Sequence, residues 1–392
     1  MPGRPPGKAG GVSAIMGPPR LRVGGQQRGH VETRILFTES SRNLGGQELQ
    51  LLHQLAALRG LGVEARLICR PGAQIGERAR AQGVAVDSAP FARALDATSI
   101  RIVRRILRDW HPAAIIAHGS PDLYTAYLAR SGTRTALLRV KTYHTGGHSN
   151  WLHTWLADAV LVPSDFLRRR IAESRLVRRS ALQVLYPGVF DDSPDGRPAA
   201  ADTGLMGQPW GTPVIAHVAM LRGEKGHLFM LEVVAALRET YPNITYLIVG
   251  EGPERAAIAS RIAALALERH VVMTGFVARP DPYVAAAHVA VNPATVEALG
   301  MAQIEALGLG VPVVASRVGG IPETFIEGRH ARLCEPKSLG GWAGALDQVF
   351  RDPAGARARA AQAQAWVRGR FSRLVNAQTL LTLVRSHTAE RL

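Results

Sequence analysis

From His288 to Glu323 the chain reads HVAVNPATVEALGMAQIEALGLGVPVVASRVGGIPE, and no other stretch narrows the available folds so far. A short apolar run ending near Val291 passes into a loop that holds Glu297. A helix is predicted to open near Gly300 and to carry Glu305, and a second apolar run covers Pro312 to Ala315. Two short strands joined by a helix form a parallel pair, because a tight hairpin cannot return the chain in the same direction. Sheets of this kind gather their polar loops beyond the carboxyl ends of the strands, where ligands sit. The amides of Ala298, Leu299, Gly300 and Met301 are expected there as donors of a helix start, suited to phosphate and sugar hydroxyls. Glu305, about one turn into the helix, reaches the same mouth. As a carboxylate it would repel phosphate and take hydroxyls instead.

The same alternation runs through the rest of the chain. RILFTE (34–39) reads as a first strand, followed by Gly45 and Gly46 and a helix with Leu49, Leu52 and Ala56 on one side. Glycines before a helix permit positive φ and close approach of backbone to a ligand. AAIIAH ends in His118 at the carboxyl end of a buried strand, and His144 follows the next strand in the same way. A neutral imidazole there can accept or donate a hydrogen bond near physiological pH. Farther on, VIAHVA leads to Arg222, Gly223, Glu224, Lys225 and Gly226 before an amphipathic helix. That places two cations at a strand end and a helix start, where they neutralise a diphosphate.

With 392 residues the chain exceeds one compact core, and two domains are expected. No apolar run approaches the roughly 20 residues of a membrane span. Cys69 and Cys334 are the only cysteines, too few and too far apart for a disulfide framework or a zinc site, so a reducing, cytoplasmic setting is expected. The net charge of +16, from 47 basic against 31 acidic residues, asks for an anionic partner or a solvated basic surface. Specific nucleic-acid binding has no motif to support it. Arg101, Arg104, Arg105 and Arg108 form a basic stripe beside an apolar one on a single helix. Such a helix is either a solvated face or a contact with an anionic membrane, which would place the protein peripherally on the inner face of the plasma membrane. Residues 1–30, rich in Gly, Pro and Arg, read as a disordered basic tail.

Glu297, seven intervening residues, Glu305, then Ala306, Gly308, Gly310, Pro312 and VVASRVGGIPE, taken in register, resemble the signature of the retaining GT-B glycosyltransferases called family 4. The resemblance implies an α/β, GT-B fold: two Rossmann-like parallel-sheet domains facing a central cleft. On that reading residues 31–190 form an acceptor-side domain and 191–211 a linker. Residues 212–372 form a nucleotide-sugar-binding domain, and 373–392 a helix returning to the first. The resemblance further implies that Arg222 and Lys225 hold the donor diphosphate, Glu305 the ribose, and Glu297 with the amides after it the donor sugar. It gives His118 to the donor sugar, Gly45 and Gly46 to the diphosphate and acceptor, Phe276 and Val277 to the base, and His144 to the acceptor. Two departures stand out. The interval from Arg222 to Lys225 is shorter than in other members, and Ala298 and Leu299 stand where relatives commonly have Gly and Phe.

The expected activity is transfer of a sugar from a nucleotide-sugar donor to a glycan or lipid-linked acceptor, as in bacterial surface polysaccharide or lipopolysaccharide synthesis. No cofactor is expected, and no metal either, since the chain has no Asp-x-Asp. Two other readings use the same architecture. A nucleotide-sugar epimerase would release free nucleotide without an acceptor, and a non-catalytic nucleotide-binding partner protein would tolerate loss of Glu305.

Overall fold

A computed structural model describes residues 33–93, 95–142, 150–191 and 210–389. The front domain is built on strands β1 (Arg34–Glu39), β2 (Glu64–Cys69), β3 (Ala85–Ser88), β4 (Ala114–Ala117), β5 (Ala136–Val140), β6 (Ala159–Val162) and β7 (Leu182–Val184). All are parallel, in the order β3-β2-β1-β4-β5-β6-β7. The rear domain uses β8 (Val214–Val218), β9 (Thr245–Val249), β10 (Val271–Gly275), β11 (Val289–Asn292), β12 (Val313–Ser316) and β13 (Arg332–Cys334), in the order β10-β9-β8-β11-β12-β13. In each sheet the order reverses once, between β1 and β4 in front and between β8 and β11 behind. Those switch points open a crevice beyond the strand ends.

Helices cover both faces: α1 (Gly46–Gly60), α2 (Gln74–Ala81), α3 (Ala97–Trp110), α4 (Ser120–Ala129), α5 (Asn150–Leu156) and α6 (Asp165–Ala172) in front. Behind are α7 (His227–Leu237), α8 (Arg255–Ala264), α9 (Asp281–Ala285), α10 (Ala302–Gly308), α11 (Leu339–Arg351) and α12 (Pro353–Arg370). The last helix, α13 (Arg373–Ala389), packs on α1. Along β1 the side chains alternate: Ile35 and Phe37 join a core with α1 and α13, and Leu36 joins the opposite core with α3 and α4. A strand buried on both faces therefore reads as an unbroken apolar run.

Two expectations change here. The apolar side of α3 is not free to enter a membrane, because Val103, Ile106, Leu107 and Trp110 are buried in the front-domain core. Its arginines, with Ala97, Thr98 and Asp109, are the residues that face solvent. The helix after Glu297 starts at Ala302 rather than Gly300, because Gly300 turns the chain at φ +89° and Met301 precedes the first helical residue. No helix among the described residues is long and apolar enough to cross a membrane. Both cysteines are free and buried. Most of 191–211 and all of 1–30, with His144, lie outside the described residues.

Candidate active site

The loops after β8 and β11 flank the rear switch point, so they meet. Lys225 Nζ donates to Glu297 Oε2 at 2.6 Å, both side chains being mostly covered. The amide of Thr295 donates to the Glu224 carbonyl at 2.8 Å. Gly226, at φ +78°, leaves no room for a Cβ beside the carbonyl of Pro293. Arg222 is exposed on the rim.

These groups line a cleft of about 670 Å³ with Asn292, Val296, Ala298, Met301 and Glu305 from the rear domain and Phe166 and Arg170 from α6. Arg222, Lys225, Glu297, Ala298, Met301 and Glu305 are thus brought together. Burial, then the nearby Asp281, lifts the Glu305 carboxyl from 4.5 to about 7. It therefore keeps its proton up to about pH 7.

The loop from Glu297 to Met301 is itself held from beneath. The Asn292 amide donates to Gln303 Oε1 at 2.6 Å, and Gln303 Nε2 donates to the Leu299 carbonyl at 3.0 Å. A side chain at Gly300 would overlap that Gln303 amide. Leu299 is 3% exposed and its side chain belongs to the rear core, so only its backbone faces the loop. The Ala298 amide is not an open helix-start donor: it bonds the Glu297 carboxylate at 3.1 Å. Gly319 and Gly320 lie flush against this loop, where a Cβ on either would overlap the carbonyl of Glu297 or Ala298.

His118 stands at the front switch point and lines a separate pocket of about 70 Å³ with Gln47, Gln54 and Thr142. Its Nδ1–H donates to the Thr38 carbonyl at 3.2 Å, which leaves Nε2 as an acceptor. Burial, with Arg139 adding to it, holds its pKa near 4, so the ring is neutral. Glu39, at the end of β1, is raised to about 7 by burial and by Asp122, and accepts from Gln47 Nε2 at 2.9 Å.

Gly45 caps α1 and Gly46 is its first residue, both on the surface and outside both pockets. Gly45 is extended at φ −120° rather than left-handed, and its amide bonds Glu48 at 2.7 Å. A Cβ at Gly46 would meet nothing within 4 Å, so packing does not require glycine there. Phe276, 79% exposed, and Val277 follow Gly275 at the end of β10 and do not line the cleft. Asn292, Gln303, Phe166 and Arg170 join the site without belonging to the motif. Gln303, the one polar residue besides Glu305 in the run 302–308, was the available signal for one of them. Among the described residues no group of three or more His, Cys, Asp or Glu side chains is arranged to hold a metal.

Sequence models of two families match the chain: Glycosyl transferases group 1 over residues 207–366, and Glycosyltransferase Family 4 over residues 44–192. Among curated relatives, a GDP-mannose-dependent alpha-(1-6)-phosphatidylinositol monomannoside mannosyltransferase of Mycolicibacterium smegmatis is 31% identical over 223 residues, 54% of this chain and 57% of that protein. A 2-deoxystreptamine glucosyltransferase of Streptomyces kanamyceticus is 31% identical over 41% of this chain and 42% of its own length. The chain thus spans about half the length of these relatives. Among solved structures, a glycosyltransferase from Rickettsia africae ESF-5 superposes with a TM-score of 0.79 at 17% identity, covering 91% of this chain and 99% of that one. Anabaena HepE in complex with UDP and glucose gives 0.76 at 20% identity over 90% and 100%. At these identities the likeness is one of fold, and the fold is GT-B.

Proposed function

The chain belongs to the group 1, family 4 glycosyltransferases, and we propose that it moves a sugar from a nucleoside diphosphate donor to a glycan or lipid-linked acceptor with retention at the anomeric carbon. The observation that carries this reading is the meeting of Lys225 with Glu297 at 2.6 Å in a cleft that also holds Arg222 and Glu305. One cation pair for a diphosphate and two carboxylates for hydroxyls are the groups a sugar nucleotide needs. Donor binding exchanges partners: Lys225 turns from Glu297 to the diphosphate, and Glu297 is released to the sugar hydroxyls. In the transfer step the bond from the anomeric carbon to the diphosphate oxygen breaks while the acceptor oxygen bonds the same face. The acceptor proton passes to the departing diphosphate oxygen. Arg222 and Lys225 meet the charge that develops there, and this is the basis for proposing transfer without a metal.

A lipid-linked acceptor at an anionic membrane, as in surface polysaccharide or lipopolysaccharide assembly, has support on the outer face of the front domain. Trp155 is 60% and Leu176 62% exposed, joined by a bond from Trp155 Nε1 to the Leu176 carbonyl at 2.8 Å. The stretch from Asp165 to Ser180 carries six arginines against two carboxylates. Exposed apolar groups among arginines suit an anionic headgroup layer.

The test is a thermal-shift panel of UDP-, GDP- and ADP-sugars, followed by transfer assays with the donor that stabilises most. Stabilisation by a sugar nucleotide and acceptor-dependent release of nucleotide are expected. Release that needs no acceptor would favour an epimerase, and no stabilisation by any of them would refute the reading.

A further inference from the structure

Glu323 ends the VGGIPE run and has no part in the chemistry above, yet its carboxylate reaches from the rear domain to the front one. Oε2 accepts the Asp165 amide at 2.8 Å and the Tyr186 hydroxyl at 2.9 Å, and Oε1 accepts the Phe166 amide at 2.6 Å. Asp165 and Phe166 open α6, so these amides have no acceptor within the helix, and negative charge is favoured beside them. Burial, then the Glu323 carboxylate, pushes the Tyr186 hydroxyl up to about 12, which keeps it a donor. Beside them Ser164 Oγ accepts the Leu167 amide at 3.1 Å and donates to the Ala298 carbonyl at 2.6 Å.

One helix end therefore touches the rear domain twice, at Glu323 and at the residue after Glu297. On the rear side those two points form one block, since Gly320 donates its amide to the Glu297 carbonyl at 3.3 Å and Gly319 and Gly320 admit no Cβ against the Glu297–Ala298 loop. On the front side, α6 carries Phe166 and Arg170 into the cleft wall.

We propose that Glu323 is a positioning residue: by clamping the first turn of α6 it holds Phe166 and Arg170 in register with the Glu297–Ala298 loop, so that sugar transfer depends on it and donor binding does not. Arg222, Lys225 and Glu305 all belong to the rear domain, so a nucleotide keeps its contacts when the clamp is lost. The acceptor has to meet the donor across the front wall, so transfer does not survive a wall out of place. A reacting pair displaced by about 1 Å loses rate on the order of 100-fold.

The kinetic arm rests on the transferase reading; the exchange arm does not. The full chain is compared with Glu323→Ala, Glu323→Gln and Ser164→Ala by calorimetric titration with UDP and with GDP, steady-state transfer, and hydrogen exchange of the 164–172 segment. The expected result for Glu323→Ala is nucleotide Kd within about 2-fold of the parent, kcat lower by about 10- to 100-fold, and faster exchange at Asp165 and Phe166. Glu323→Gln, which keeps one carbonyl acceptor, is expected to fall between, and Ser164→Ala to move kcat in the same direction. Unchanged kcat, or Kd weakened in step with kcat, would overturn the proposal, because a merely structural tie moves both. Should Glu323→Ala fail to fold, the Gln and Ser164 variants decide. Should none of UDP, GDP and, titrated in the same way, ADP bind the parent, the transferase reading falls. The clamp is then judged on exchange alone, and unchanged exchange refutes it.

Discussion

Replacing Glu305 by Gln is expected to make the empty protein more stable while weakening nucleotide binding. Glu305 holds its proton to about pH 7 in the folded chain against 4.5 in the unfolded one. The folded state thus binds more protons between those values, and stability falls as pH rises through that window and stays reduced above it. At about 1.4 kcal/mol per pH unit, a rise from 4.5 to about 7 sets an upper bound of about 3.5 kcal/mol. Glu305 retains some contact with the cleft, so about 1 to 2 kcal/mol is the working figure. Glu39 is raised in the same direction, so the parent's pH profile alone does not isolate Glu305; the difference between parent and variant does. Urea unfolding at pH 5 and pH 8 measures it, with a gain of about a few tenths of a kcal/mol at the lower pH and about 1 to 2 kcal/mol at the higher. The amide offers the ribose a single acceptor, so nucleotide Kd should rise by about tenfold at pH 8. A variant less stable than the parent at pH 8, or shifted equally at both values, would mean the carboxylate is not desolvated, and the reasoning fails.

Two further outcomes follow from contacts already described. Gly319→Ala places a Cβ on the Glu297 carbonyl at φ +57° and should destabilise by about 2 to 4 kcal/mol, read as a fall in Tm, whereas Gly46→Ala, with open space around it, should leave Tm unchanged. Equal tolerance at both sites would contradict the packing of the VGGIPE run on the Glu297–Ala298 loop. Cosedimentation with anionic vesicles should be visible at about 50 mM salt, fade by about 500 mM, and be lost in a Trp155→Glu, Leu176→Glu double variant. Binding that ignores salt, or never occurs, counts against the membrane-facing patch.

The alternation of strands and helices was legible because parallel strands covered on both faces, such as AIIA and AVLV, leave unbroken apolar runs between turn residues. The rear half of the site was legible for a different reason: Glu297 and Glu305 share one loop and one helix, and Arg222 and Lys225 share one turn, so their grouping is written locally. What escaped was either conformational or long-range. Nothing in the run ATVEALGMAQIE says that Gly300 turns left-handed and delays the helix by two residues, since that depends on where the Gln303 amide folds. The amides of Asp165 and Phe166 find Glu323 across 158 and 157 residues of sequence, a pairing no spacing rule contains. The amphipathic pattern of α3 is plain in the sequence, but the partner of its apolar side is the front-domain core rather than lipid.

The position of α13 has a consequence for biogenesis. Ala377, Leu380, Leu381 and Val384 fill the same core as Leu51 and Leu55 of α1, and Gln54 is joined to Asn376 by a bond of 2.8 Å. Lobes made early in synthesis ordinarily finish folding before those made later. Here the first lobe keeps an uncovered oily flank while the whole second lobe emerges from the ribosome. It becomes watertight only when the polypeptide has been made as far as Val384.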